Sequence, residues 1–143
     1  MASPRKFEIM SIKARFGINK ELAHTKGAEC VIDEMTFFVG YRSPSNRVWA
    51  KLYEEGWKAH REDLESLSSD QTLAINQDIF ARALMLGWKN VKESINDSEL
   101  VTFSVDEAIR LFSEYPELYY DLSQFAVDRA NFLSGDAKVD AKN

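Results

Sequence analysis

The chain has 143 residues, 45% of them hydrophobic and 29% charged, with 6 glycines and 3 prolines. That length and balance suit one ordinary globular domain and exclude collagen-like, disordered and disulfide-scaffold classes. The formal net charge of -5 argues against a generally basic nucleic-acid binder, although the halves differ in sign: Met1 to Arg61 is net +4 and Glu62 to Asn143 is net -9.

The single cysteine, Cys30, rules out an intrachain disulfide. His24 and His60 are too far apart to make a recognisable zinc motif with it, and no phosphate-loop, dinucleotide-binding, metalloprotease or nucleophile-elbow motif is present. No catalytic, cofactor-binding or metal-binding residues are therefore assigned. No uncharged run approaches the roughly 18 residues of a membrane span, so no membrane partner is expected.

In chain order, residues 1–27 form a basic, poorly patterned N-terminal stretch. Residues 28–42, AECVIDEMTFFVGYR, have apolar runs on both sides of Asp33-Glu34 and alternation at Phe37, Val39 and Tyr41, which predicts a small β-hairpin. Residues 46–134 are expected to form a helical body. Trp49, Leu52, Tyr53, Gly56, His60, Leu64 and Leu67 recur at helical spacing to about Ser66. Ser68-Ser69-Asp70 is a break and N-cap, and a second helix is predicted from Gln71 to Leu86 with Gly87 as its C-terminal cap.

A polar link from Lys92 to Glu99 leads to an extended Leu100–Phe103. Ser104 and Glu107 have the spacing of a reciprocal capping box, which opens a third helix. Pro116 places a boundary after Tyr115, and a fourth helix is predicted from Glu117 to about Leu133. Residues 135–143 are expected to be a flexible tail. The predicted fold is mainly α: a four-helix compact domain with a small N-terminal β-hairpin, in one domain spanning residues 1–143.

Trp49, Tyr53 and Trp57 are expected to be core, with His60 half-buried among them. Arg129 is placed on the apolar face of the last helix, as an ion-pair or cation–π anchor. Trp88 is expected to fold back over the core. Tyr120 and Val127, seven residues apart and opposite the apolar stripe, are the candidate partner-binding strip.

The closing segments have a recognisable pattern. A long apolar helix runs ARALML into Gly87-Trp88-Lys89-Asn90-Val91, a Ser104-capped helix follows, and the chain reaches Phe125-Ala126-Val127-Asp128-Arg129-Ala130-Asn131-Phe132. Over roughly Glu29 to Leu133 this resembles the tail assembly chaperones of long-tailed (siphovirus-type) bacteriophages. The resemblance implies a non-catalytic protein that binds the tape-measure protein, assists assembly of the tail-tube protein, forms a homo-oligomer, and works in the host cytoplasm without being retained in the mature virion. It also implies a longer companion product made by ribosomal frameshifting. Ala141-Lys142-Asn143 can be encoded with a slippery A AAA AAC string.

Two other readings fit the residues. One is a structural virion protein for tail completion or head–tail joining. The other is a small helical nucleic-acid-binding regulator using Arg5, Lys6, Lys13, Arg15, Lys20 and Lys26. The opposite charge of the two halves also suits head-to-tail stacking.

Overall fold

A computed structural model describes residues 11–135. Two short helices, α1 (Ile12–Phe16) and α2 (Lys20–His24), lead into strands β1 (Ala28–Ile32) and β2 (Met35–Val39). Helix α3 (Arg47–Lys58), a 3-10 turn at Leu64–Ser66 and helix α4 (Ser69–Leu84) follow. The chain then forms strand β3 (Met85–Lys89), helices α5 (Val105–Glu114) and α6 (Pro116–Val127), and a 3-10 turn at Arg129–Phe132.

This corrects the expected four-helix domain with a small N-terminal β-hairpin. Among the described residues there are six helices and a three-stranded antiparallel sheet ordered β1-β2-β3. The third strand comes from a segment expected to be the end of the Gln71–Leu86 helix. That helix stops at Leu84 because Met85 turns extended, at φ -84 and ψ 110, and Leu84 accepts a hydrogen bond from Gly40 N–H at 2.8 Å. Gly87 is consequently a strand residue paired with Phe38, not a helix cap. The pairing register slips between Phe38 and Val39, which leaves Leu86 as the extra residue of a bulge in β3.

Local polar groups end the last helix early. Expected to run to about Leu133, it stops at Val127. Asp128 is extended and its carboxylate accepts from Ala130 N–H at 3.0 Å, opening a new turn. Asn131 Nδ2 donates back to the Phe125 carbonyl at 2.9 Å and satisfies the helix end. The boundary at Pro116 is where it was expected, with proline in the first turn of α6. Ser104 does cap α5, accepting from Glu107 N–H at 3.0 Å, but Glu107 turns its carboxylate to Arg110 instead of completing the box. The reciprocal box is at Ser68 and Gln71 on α4.

The core lies between the sheet and the helices. Phe37 and Val39 point inward from β2, and Phe80, Leu84, Phe112 and Leu122 are fully enclosed. Phe80 is the hub, edge-on to Phe112 at 5.8 Å and to Tyr119 at 5.4 Å, so one ring ties α4 to both α5 and α6. Gln77 is buried on α4 and donates its Nε2–H to the Phe112 carbonyl at 2.9 Å. Helices α3 and α4 approach closely at Gly56, where an added Cβ would lie 2.7 Å from Ile79 Cδ1.

A second cluster of Ala23, Ala28 and Phe132 joins the two ends of the described chain. Tyr41 stacks on Phe132 at 4.8 Å, and Ile18 bridges to Leu133. Residues 11–26, expected to be unpatterned, are thus ordered by two side-chain caps, Ser11 on α1 and Asn19 on α2. Only Gly135 of the expected tail 135–143 lies within the described residues.

Candidate functional site

A concave surface is built by the link between β3 and α5. Asn90 leaves the sheet with φ +61, and Val91 is buried. The chain returns when Val101 N–H donates to the Val91 carbonyl at 2.7 Å, and Trp88 Nε1–H holds the Val101 carbonyl at 2.7 Å. Trp88 is itself buried, edge-on to Phe37 and Phe103, so it lies over the core as expected. A pinched loop results, with Lys92 to Leu100 exposed.

Arg110 fixes this loop to α5. Its guanidinium meets Glu93 with two bonds at 2.8 and 3.2 Å, Glu107 at 2.7 Å and Glu114 at 3.2 Å. Tyr115 Oη–H donates to Glu93 at 3.0 Å. Glu107 and Glu114 are one turn either side of Arg110 on α5, while Glu93 reaches it from the loop. One cation among three carboxylates leaves the cluster net negative. The Arg110 bond, then the Tyr115 bond, hold the Glu93 carboxyl below the usual carboxylate range. The same contacts raise the Arg110 and Tyr115 values, in both cases chiefly through hydrogen bonding to Glu93.

Two recesses flank Glu93. On one side is an open groove of about 740 Å³ whose walls include Glu93, Asp97, Glu99, Leu100, Phe103 and Glu107. On the other is an apolar notch of about 210 Å³, lined by Met35, Phe37, Val91, Leu111, Tyr115 and Leu118 as well as Glu93 and Lys92. No histidine or cysteine lines either recess. Ser104 is occupied as the α5 cap. An acidic channel thus lies beside an apolar seat, the complement of a segment bearing both lysine or arginine and apolar side chains.

Arg110→Gln is expected to loosen the loop without unfolding the body, because the cluster is open to water and the core is built elsewhere. Hydrogen exchange should accelerate in residues 93–100 while α4 amides keep their protection. The Glu93 tether is complete above the unfolded-state value of its carboxyl. It is lost as pH falls through the depressed folded value, so acidification should reproduce the same local release. Equal protection of the loop in both proteins would show that Arg110 does not hold it.

Tyr120 and Val127 lie on one side of α6 and are 46% and 49% exposed. They are two turns apart, about 10 Å along the axis. Neither lines the groove or the notch. In the aromatic stripe of α3, Trp49 is buried, but Tyr53 is 42% exposed, so that ring is surface rather than core. Arg129 is exposed and off the apolar face, its guanidinium 4.5 Å from the Phe16 ring centre, a cation–π contact to α1. Of the basic residues of the N-terminal stretch, Lys13, Arg15, Lys20 and Lys26 are exposed, and Arg5 and Lys6 lie outside the described residues.

The Arg110 cluster was missed from sequence. The spacing Glu107, Arg110, Glu114 is a visible helical signal, but Glu93 comes from a loop 17 residues away. Among the described residues no group of three His, Cys, Asp or Glu side chains could hold a metal ion, and no helix is long and apolar enough to cross a membrane.

Residues 40–143 match the family described as YdaY prophage protein, from the end of β2 through the groove and α6. No curated protein and no solved structure matches the chain.

Proposed function

The chain belongs to the YdaY prophage protein family, and from that premise we propose that this phage-derived protein is a tail assembly chaperone, a non-catalytic binding protein that coats the tape-measure protein and assists tail-tube assembly in the host cytoplasm. The observation that carries the reading is the acidic groove and apolar notch meeting at Glu93. An amphipathic helix with basic and apolar faces fits such a surface, and a tape-measure protein is a long helical client. The likeness of Gly87–Val91 and Phe125–Phe132 to tail chaperones adds support. These residues build the third strand and the α6 end, so their role is to shape the binding body.

The exposed strip of Tyr120 and Val127 is the proposed second contact with the client or with a neighbouring copy. Changing both to glutamate should leave the circular dichroism spectrum and melting temperature unchanged, since neither side chain is enclosed. Capture of co-expressed tape-measure protein should fall about tenfold, as removal of apolar contact residues does at many interfaces. Undiminished capture would exclude the strip from the interface.

A further inference from the structure

The two edges of the sheet are not alike. The β3 edge is blunted by its bulge and by Gly87 and Lys89, devices that discourage pairing with another chain. The β1 edge has no bulge and no proline, and pairs with β2 in unbroken register from Ala28–Val39 to Ile32–Met35. The closing pair Ile32–Met35 flanks the two-residue turn Asp33-Glu34, with Asp33 at φ +55. By alternation, the main-chain groups of Glu29 and Val31 face away from β2. Among the described residues no hydrogen bond is made to the main chain of either one. Val31 also leaves 63% of its surface exposed. An open five-residue edge of this kind is a template for another strand.

We propose that the β1 edge pairs antiparallel with the β1 edge of a second copy, joining two three-stranded sheets into one of six strands about a two-fold axis at Cys30. The charges along the edge select both the occupant and the register. Centring on Cys30 sets Glu29 opposite Val31 of the second copy and Gly27 opposite Asp33. The same register lays the Lys26 end of each strand beside the Asp33-Glu34 turn of the other copy, and all three residues are exposed. Centring one residue earlier would face the two Glu29 carboxylates, and one residue later would oppose Glu29 to Asp33 twice. Like charges directly opposite destabilise a strand pair, whereas opposite charges support it. Glu29 and Val31 in this register form hydrogen-bonded pairs across the axis, and the interface is isologous, with each contact made twice. The pairing differs from head-to-tail stacking, because a two-fold dimer closes and leaves the groove of each copy free for a client.

Sedimentation of the full chain at high micromolar concentration should show a dimer. Val31→Pro removes an outward-facing N–H that bonds to none of the described residues, so the variant should keep its fold by circular dichroism and sediment as a monomer. Lys26→Glu and Glu34→Lys each bring like charges together at both ends of the paired strands, and each should weaken the dimer roughly tenfold. The double variant carrying both changes should recover the wild-type dissociation constant. A monomeric wild type, a folded Val31→Pro variant that still dimerises, or a dimer indifferent to the charge swap would each overturn the pairing.

Discussion

Replacing Phe80 with alanine is expected to cost about 3–5 kcal/mol, the range for emptying a buried aromatic site. Phe80 is wholly buried and touches Phe112 and Tyr119 edge-on, so the cavity would lie where α4, α5 and α6 converge. The two surrounding rings belong to separate helices, α5 and α6, and cannot collapse into the space without moving a backbone. Urea denaturation checks this: the midpoint should fall sharply with little change in slope. Because a domain of this size holds roughly 5–15 kcal/mol in total, the variant should sit near the edge of folding at 37 °C. A loss below about 1 kcal/mol would mean that the ring is not the hub of the core.

Asn46 gives the second large effect, through polar chemistry. Its side chain is 1% exposed and all of its hydrogen-bonding capacity is in use. Nδ2 donates to the Ala23 carbonyl at 3.0 Å and the Tyr41 carbonyl at 2.9 Å, while Oδ1 accepts from Val48 and Trp49 N–H at 3.1 and 3.3 Å. One amide thus caps α3 and fastens it to α2 and to the chain leaving β2. Asn46→Ala should cost about 2–4 kcal/mol, combining a lost cap with buried carbonyls left unpaired. Asn46→Asp keeps the cap but turns an acceptor toward two carbonyls, which favours the protonated acid in the folded state. That raises the folded value above the unfolded one, so the aspartate variant should lose stability as pH rises through the interval between them. Denaturation midpoints for both variants across acidic pH test this. An aspartate variant as stable as wild type at neutral pH would contradict the bonding scheme.

Much of this fold is legible in local patterning. The alternation at Phe37 and Val39 marks buried strand positions, Ser68 and Ser104 mark helix starts, and Pro116 marks a boundary. The errors share a physical origin. Met85–Lys89 follows an apolar run, and a short apolar run has no period that separates the end of a buried helix from a strand. Only its pairing with β2, distant in sequence, decides between them. Helices α1 and α2 are five residues long and rest on the caps at Ser11 and Asn19 and on packing of Ala23 with Phe132, so an apolar-periodicity search passes over them. At Asp128 a local side-chain bond overrides a helical pattern that continues through Phe132.

The proposed binding surface is less legible than the fold. Tyr120 and Val127 were identifiable because helical spacing places them opposite the Leu118, Leu122 and Phe125 stripe. The groove was not, since it exists only once Val101 closes the loop onto Val91 and Glu93 reaches Arg110. The charge contrast between the halves becomes more specific in the same way. On the C-terminal side four of its acids line the groove beside Arg110, and on the N-terminal side Lys26 stands just before the β1 edge.

As the proposed chaperone, the chain accompanies the tape-measure protein during tail assembly and leaves before the tail is complete. Quantitative mass spectrometry of tail-assembly intermediates and finished particles, prepared from the same lysate, tests it most directly. The chaperone reading predicts that the chain co-purifies with the tape-measure protein in the intermediates and is absent from the particles. Its presence in finished particles at a fixed ratio to the tube protein would contradict the reading and identify a structural component of the virion.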